Sequence, residues 1–129
     1  MIVKGKTIIG NVMKKKLIVI KRHISEYPNP IHFSAGDSLT VGEKYVGDEG
    51  WDNWYLCSFN GLSGWVPKQI IELISETTGI AKENYSALEL NVETQEHVIG
   101  YKETNGWVWC KKLDTGEQGW LPVSNLKEI

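Results

Sequence analysis

The sequence predicts an all-β protein made of two small domains in tandem, and three observations carry that expectation. First, a Gly-x-x-Gly-Trp-aliphatic-Pro block occurs twice, as Gly61-Leu62-Ser63-Gly64-Trp65-Val66-Pro67 and as Gly116-Glu117-Gln118-Gly119-Trp120-Leu121-Pro122. A repeat spanning roughly half the chain marks two copies of one structural unit. Second, short alternating runs such as Ser38-Leu39-Thr40-Val41 and Glu96-His97-Val98-Ile99 have the period of half-buried strands. Third, no stretch after the first 22 residues sustains a helical period over three turns.

Length and composition agree. The chain has 129 residues, which is one ordinary domain or two of about 60 residues each, near the lower limit for independent folding. A large enzyme core is excluded. The longest apolar run, Leu17-Ile18-Val19-Ile20, is too short for a membrane span or a signal-peptide core, so a soluble, unexported, cytoplasmic chain is expected. Two cysteines without a secretory signal suit a reducing compartment. The net charge of −2 hides an asymmetry: residues 1–22 carry seven Lys and Arg and no acid, while all 16 acids lie beyond them.

In chain order, residues 1–16 read as a basic arm. Leu17 to Ile20 read as the first strand of domain 1 (17–74), with Lys14-Lys15-Lys16 protecting an edge. Ile2-Val3 and Ile8-Ile9 are candidates for an extra strand. Ile31-x-Phe33-x-x-Gly36-Asp37 aligns with Leu90-x-Val92-x-x-Gln95-Glu96, and Trp54-Tyr55-Leu56-Cys57 with Trp107-Val108-Trp109-Cys110. The first copy is longer only within the loop expected from Gly42 to Asn53, which carries Trp51. Asn60-Gly61 predicts a type I′ hairpin, because both central residues of that turn need positive φ. Asp114-Thr115-Gly116 is the corresponding turn in domain 2 (80–129). Pro67 and Pro122 are expected to end a strand and open a 3₁₀ turn. The domain boundary is expected in Ser75-Glu76-Thr77-Thr78-Gly79.

The order aliphatic-x-Phe-x-x-Gly-Asp, Trp-Tyr, Gly-x-x-Gly-Trp-Val-Pro in residues 31–67 resembles an SH3 domain, specifically the bacterial variant SH3 domains. Tyr85 to Leu90, Trp107 and Gly116 to Pro122 resemble the same family. The resemblance implies two five-stranded, SH3-like barrels in tandem behind a short basic extension. It also implies a non-catalytic module that binds an extended protein or peptide segment. A polyproline II ligand suits such a groove because it is extended before it binds and packs its prolines between flat rings.

Carried over position by position, the resemblance assigns ligand contacts to Trp54, Trp65 and Pro67 in the first copy and Trp107, Trp120 and Pro122 in the second. The groove tyrosine of the family is replaced by Ile70 and by Asn125. The paired tyrosines near the family's start correspond to Lys21 and His23 in one copy and Glu83 and Tyr85 in the other. Strand alternation puts Trp54 and Trp107 on the face opposite Cys57 and Cys110, hence away from the core if the cysteines point inward. For Trp65 and Trp120, a place in the core or over the sheet competes evenly with a ligand-facing one. The expected ligand is an extended basic or proline-containing segment, and Glu43, Asp48, Glu49, Asp52 and Glu103 near the grooves favour a cationic one.

Other chemistry finds no support. Cys57 and Cys110 occupy equivalent positions of separate domains, too far apart for a bridge, and read as buried free thiols. They have no ligand spacing to His23, His32 or His97, so neither metal nor cofactor is expected. Gly5-Lys6-Thr7 lacks the leading glycine of a phosphate loop, and no catalytic set of Ser, His and Asp is apparent. Nucleic acid is not the expected partner, despite the lysines of the arm. Two other readings remain: barrels that pack only on each other or on a partner, and a cell-wall-binding module if the native chain is exported.

Overall fold

In the computed structural model, the described residues are 12–25, 29–45 and 53–129. They form an all-β structure of twelve strands, counted among these residues, and two single 3₁₀ turns. The strands are β1 (Val12–Val19), β2 (His32–Phe33), β3 (Ser38–Lys44), β4 (Trp54–Phe59), β5 (Leu62–Pro67) and β6 (Ile71–Leu73). They continue with β7 (Thr78–Ala81), β8 (Tyr85–Ser86), β9 (His97–Thr104), β10 (Trp107–Lys112), β11 (Gln118–Pro122) and β12 (Leu126–Glu128).

Two five-stranded sheets result. One has the order β5-β4-β3-β7-β6 and the other β11-β10-β9-β1-β12, while β2 and β8 form a two-stranded ribbon. The chain divides into two compact units, Tyr27–Leu88 and Met1–Glu26 with Glu89–Ile129. The first, continuous unit is called inner below. The second is split, because the inner unit interrupts it.

This division differs from the boundary expected at Ser75 to Gly79. Ser75 to Thr77 turn a hairpin within the inner unit, and Thr78 and Gly79 already belong to its returning strand: Leu73 lies opposite Gly79, and the amides of Ile74 and Ser75 both donate to the Thr78 carbonyl. Strand β1 also departs from expectation. It does not open a barrel with residues 31–74; it lies between β9 and β12 of the split unit. Lys14, Lys15 and Lys16 therefore sit on an interior strand, where Lys15 pairs with Glu128 at 3.6 Å, and not at an edge. Val12 to Lys16 of the expected arm are part of this strand. The possible extra strand at Ile2-Val3 and Ile8-Ile9 lies outside the described residues.

Each unit has its own core. In the inner unit Ile31, Leu39, Val41, Cys57 and Val66 are almost completely buried, with Phe33 and Ile71 beside them. In the split unit Val19, Val92, Val98, Cys110 and Leu121 take that part, with Leu17 from the amino-terminal strand. Each such aliphatic side chain contributes about 1.5–3 kcal/mol by leaving water.

The turns follow their local chemistry. Asn60 and Gly61 have φ of 54° and 82°, as a type I′ hairpin needs, and Gly116 has φ of 79°. Asn105 and Gly106, at 49° and 87°, make a second hairpin between β9 and β10. Pro67 and Pro122 precede the 3₁₀ turns Lys68–Ile70 and Val123–Asn125. Strand β3 runs on through Gly42 to Lys44, into the expected loop, because after a register shift beyond Val41 it still pairs with β4, Lys44 lying opposite Tyr55. A Cβ on Gly42 would lie 2.9 Å from the Leu56 carbonyl oxygen, so the close approach there requires glycine.

Candidate functional site

Alternation along β4 and β5 sorts side chains between two faces. Tyr55, Cys57, Phe59, Leu62 and Val66 pack in the core, so Trp54, Leu56, Trp65 and Pro67 occupy the opposite face. The strand register sets Trp54 opposite Pro67 and Leu56 opposite Trp65. In the split unit Val108, Cys110 and Leu121 turn inward, and the opposite face pairs Trp107 with Pro122 and Trp109 with Trp120. The duplicated blocks thus build the same device twice: a tryptophan across from a proline at one end of a hairpin, with a second tryptophan beside it.

The two faces differ in openness. Trp54 was expected to be a ligand platform, yet it is only 6% exposed, and Pro67 opposite it is fully buried. It lies opposite the core, as alternation requires, but is covered all the same. Trp65 is half-buried, its ring edge-on to Tyr45 with centroids 5.4 Å apart. Ile70 stands in the groove tyrosine position and is buried in the inner core at 6% exposure.

In the split unit Trp107, Trp109 and Pro122 are half-buried, as Trp65 is in the inner one, whereas Trp120 is 9% exposed. Trp109 and Trp120 meet edge to face at 5.3 Å, and the Trp109 indole donates to Gln118 Oε1 at 3.0 Å, which fixes the ring. Asn125 is buried at 5% and turned toward the chain itself. Its Nδ2 donates to the carbonyls of Lys21 at 3.2 Å and Arg22 at 3.4 Å.

The segment after β1 completes this face. The His23 ring stands edge-on to Trp107 with centroids 5.8 Å apart. His23 Nε2 donates to Glu89 Oε1 at 2.8 Å, and both side chains are mostly shielded from solvent. Arg22 makes a two-oxygen contact with Glu93 at 2.9 and 3.0 Å on the exposed side. The equivalent segment of the inner unit is Tyr85. Its hydroxyl donates to the Trp65 carbonyl at 3.0 Å and its ring packs on Phe33 at 5.6 Å.

The structure therefore regroups the candidate residues. Trp54, Trp65, Pro67 and Ile70 share a unit with Tyr85, and Trp107, Trp120, Pro122 and Asn125 share one with His23. The sequence alignment put His23 in the copy with Trp54 and Tyr85 in the copy with Trp107. Sequence reasoning also passed over Trp109, whose counterpart in the first copy is Leu56, and Glu89, for which no motif exists. Glu43 and Glu103 are exposed, while Trp51, Asp48, Glu49 and Asp52 lie outside the described residues.

Cys57 and Cys110 are buried free thiols, with burial pushing them up from 9.0 to about 11 and about 12 respectively. Among the described residues no group of three or more His, Cys, Asp or Glu is placed to hold a metal ion, and no helix is long and apolar enough to cross a membrane.

Comparison with known proteins finds a family resemblance for part of the chain. Residues 16–74 match the variant SH3 domain. Breast cancer anti-estrogen resistance protein 1 of Mus musculus is 33% identical over 66 residues, covering 51% of this chain and 7% of that protein. The protein of that name in Homo sapiens is 34% identical over 64 residues, 50% of this chain and 7% of its own length. The chain spans less than a tenth of the curated relatives it matches. No solved structure matches significantly. A variant SH3 domain implies a protein-interaction module, a class that is typically non-catalytic.

Proposed function

We propose that this chain binds an extended protein or peptide segment on the Trp-bearing face of the split unit, without catalysing a reaction. The observation that carries this reading is the partial exposure of Trp107 and Trp109, with Pro122 opposite Trp107, on the face opposite the core. Flat, partly exposed rings fixed by neighbours are suited to stacking against a pre-extended chain, which loses little entropy on binding. Proline residues fit between such rings. The exposed Glu103 favours a basic residue in the ligand.

The inner unit has the same arrangement, with Trp54 and Pro67 covered. A structural part for that face, burying its tryptophan within the fold, is the second reading, and the low exposure of Trp54 favours it. Titration with proline-containing basic peptides, read by tryptophan fluorescence, separates the faces. Binding is expected to weaken at least tenfold in Trp107→Ala and to persist in Trp54→Phe, with circular dichroism reporting the fold of each. Unchanged affinity in a folded Trp107→Ala protein excludes the split-unit face.

A further inference from the structure

Repeat and fold disagree about one strand in each half. By sequence β1 opens the first copy, since the variant SH3 match begins at residue 16, inside that strand. By pairing it completes the sheet of the second copy, between β9 and β12. Strand β7 does the reverse: it opens the second copy and completes the first, between β3 and β6. The registers correspond. Leu17 lies opposite Val98 and Lys16 opposite Ile99. Gly79 lies opposite Leu39 and Thr78 opposite Thr40. We propose that the two repeats have traded first strands within one chain, that side-chain volume enforces the trade, and that each Trp-bearing face is thereby completed by a segment of the other repeat.

Volume supplies the sorting. A Cβ built on Gly79 would lie 2.5 Å from Ile71 Cγ2 and 3.1 Å from Val41 Cγ2. The position equivalent to Gly79 in the other sheet is Leu17, buried at 6%. A leucine side chain therefore has no room where even a methyl group collides, and β1 is kept out of the inner unit. The reciprocal position shows the matching change. Val41 faces Cys57 across the inner sheet, and Gly100 faces Cys110 across the split one. The inner sheet thus combines valine with glycine, and the split sheet combines glycine with leucine. Two positions along each strand the bias repeats, with Ala81 in β7 and Val19 in β1, both buried. Strand β7 in the split unit would leave a leucine-sized void, which interiors do not tolerate well.

Both traded strands are held at their exit by the same main-chain bond. The Lys82 amide donates to the Ile70 carbonyl at 2.7 Å, and the Ile20 amide to the Asn125 carbonyl at 2.8 Å. Asn125 adds its side-chain bonds to Lys21 and Arg22, which makes it a positioning residue for the segment that carries His23 to Trp107.

Directly opposed residues of antiparallel strands have Cα atoms about 4.5–5.5 Å apart, within reach of a disulfide. In the full chain under oxidised glutathione near pH 8, where Cys57 and Cys110 are buried and protonated, Lys16→Cys with Ile99→Cys is expected to close an intrachain bond. Lys16→Cys with Thr40→Cys is expected to stay open. A Lys16→Cys to Thr40→Cys bond, a bond between two chains, or no bond in either variant overturns the trade. The composite face has a separate readout that needs no ligand. The imidazole resonances of His23 are expected to shift in Trp107→Phe and to stay in place in Trp54→Phe. The opposite pattern, or no shift in either, removes His23 from that face.

Discussion

Glycine and cysteine carry the clearest consequences among single residues. Gly79→Ala is expected to destabilise the inner unit by about 1–3 kcal/mol, because the new methyl group meets Ile71 and Val41 in a packed core. Gly61→Ala has open space around it but keeps a φ of 82°, so a smaller loss of about 1 kcal/mol is expected, from backbone strain alone. Urea midpoints of the two variants distinguish sterics from strain. For the thiols, the folded values are raised above the unfolded one, so the unfolded chain releases protons first as pH rises past about 9. Any stability these groups contribute is fully present below that point and is lost as pH rises through about 11 for Cys57 and about 12 for Cys110. Chemical unfolding at pH 8, 9 and 10 is expected to give a falling stability over this range, with a slope that flattens when both cysteines are replaced by alanine.

Strands and turns were legible in the sequence to very different degrees. The hairpin at Asn60-Gly61 and the turns after Pro67 and Pro122 were readable because one or two residues decide each of them through φ or a missing amide donor. Strand β7 was not readable. Thr78-Gly79-Ile80-Ala81 places glycine and alanine, both poor strand formers, at its inward positions and so reads as a linker, and the Ile71 and Val41 side chains fill the space they leave. Strand β1 was seen as a strand but given to the wrong sheet, since a strand's pattern tells which face is buried and not which neighbour it pairs with. The clamp on the segment after β1 gives a test at this level. Asn125→Ala removes the donor to the Lys21 and Arg22 carbonyls and is expected to cost about 1–3 kcal/mol. Hydrogen exchange at the His23 amide is expected to accelerate, while that of Ala81 in the inner unit remains unchanged.

Two separate cores in one chain mean that damage to one core is expected to leave the other standing. Leu121→Ala removes a fully buried side chain from the split unit and is expected to cost about 2–5 kcal/mol there. Labelling of Cys110 by a thiol reagent is then expected to speed up, while Cys57, in the continuous inner unit, stays protected; equal acceleration of both would show a single cooperative unit. The duplicated Trp and Pro positions were legible because they lie within single hairpins, where alternation and turn geometry determine what faces what. By itself the sequence determined the all-β class, the repeated Gly-x-x-Gly-Trp-aliphatic-Pro block and the inward cysteines, all consequences of local periodicity and turn chemistry. Only the tertiary structure decided that Trp54 is covered, that Asn125 bonds back to the chain, and that His23 joins Trp107. Those outcomes depend on which distant strand fills each sheet, and the volumes of Leu17 and Gly79 express that choice only when their neighbours are in place.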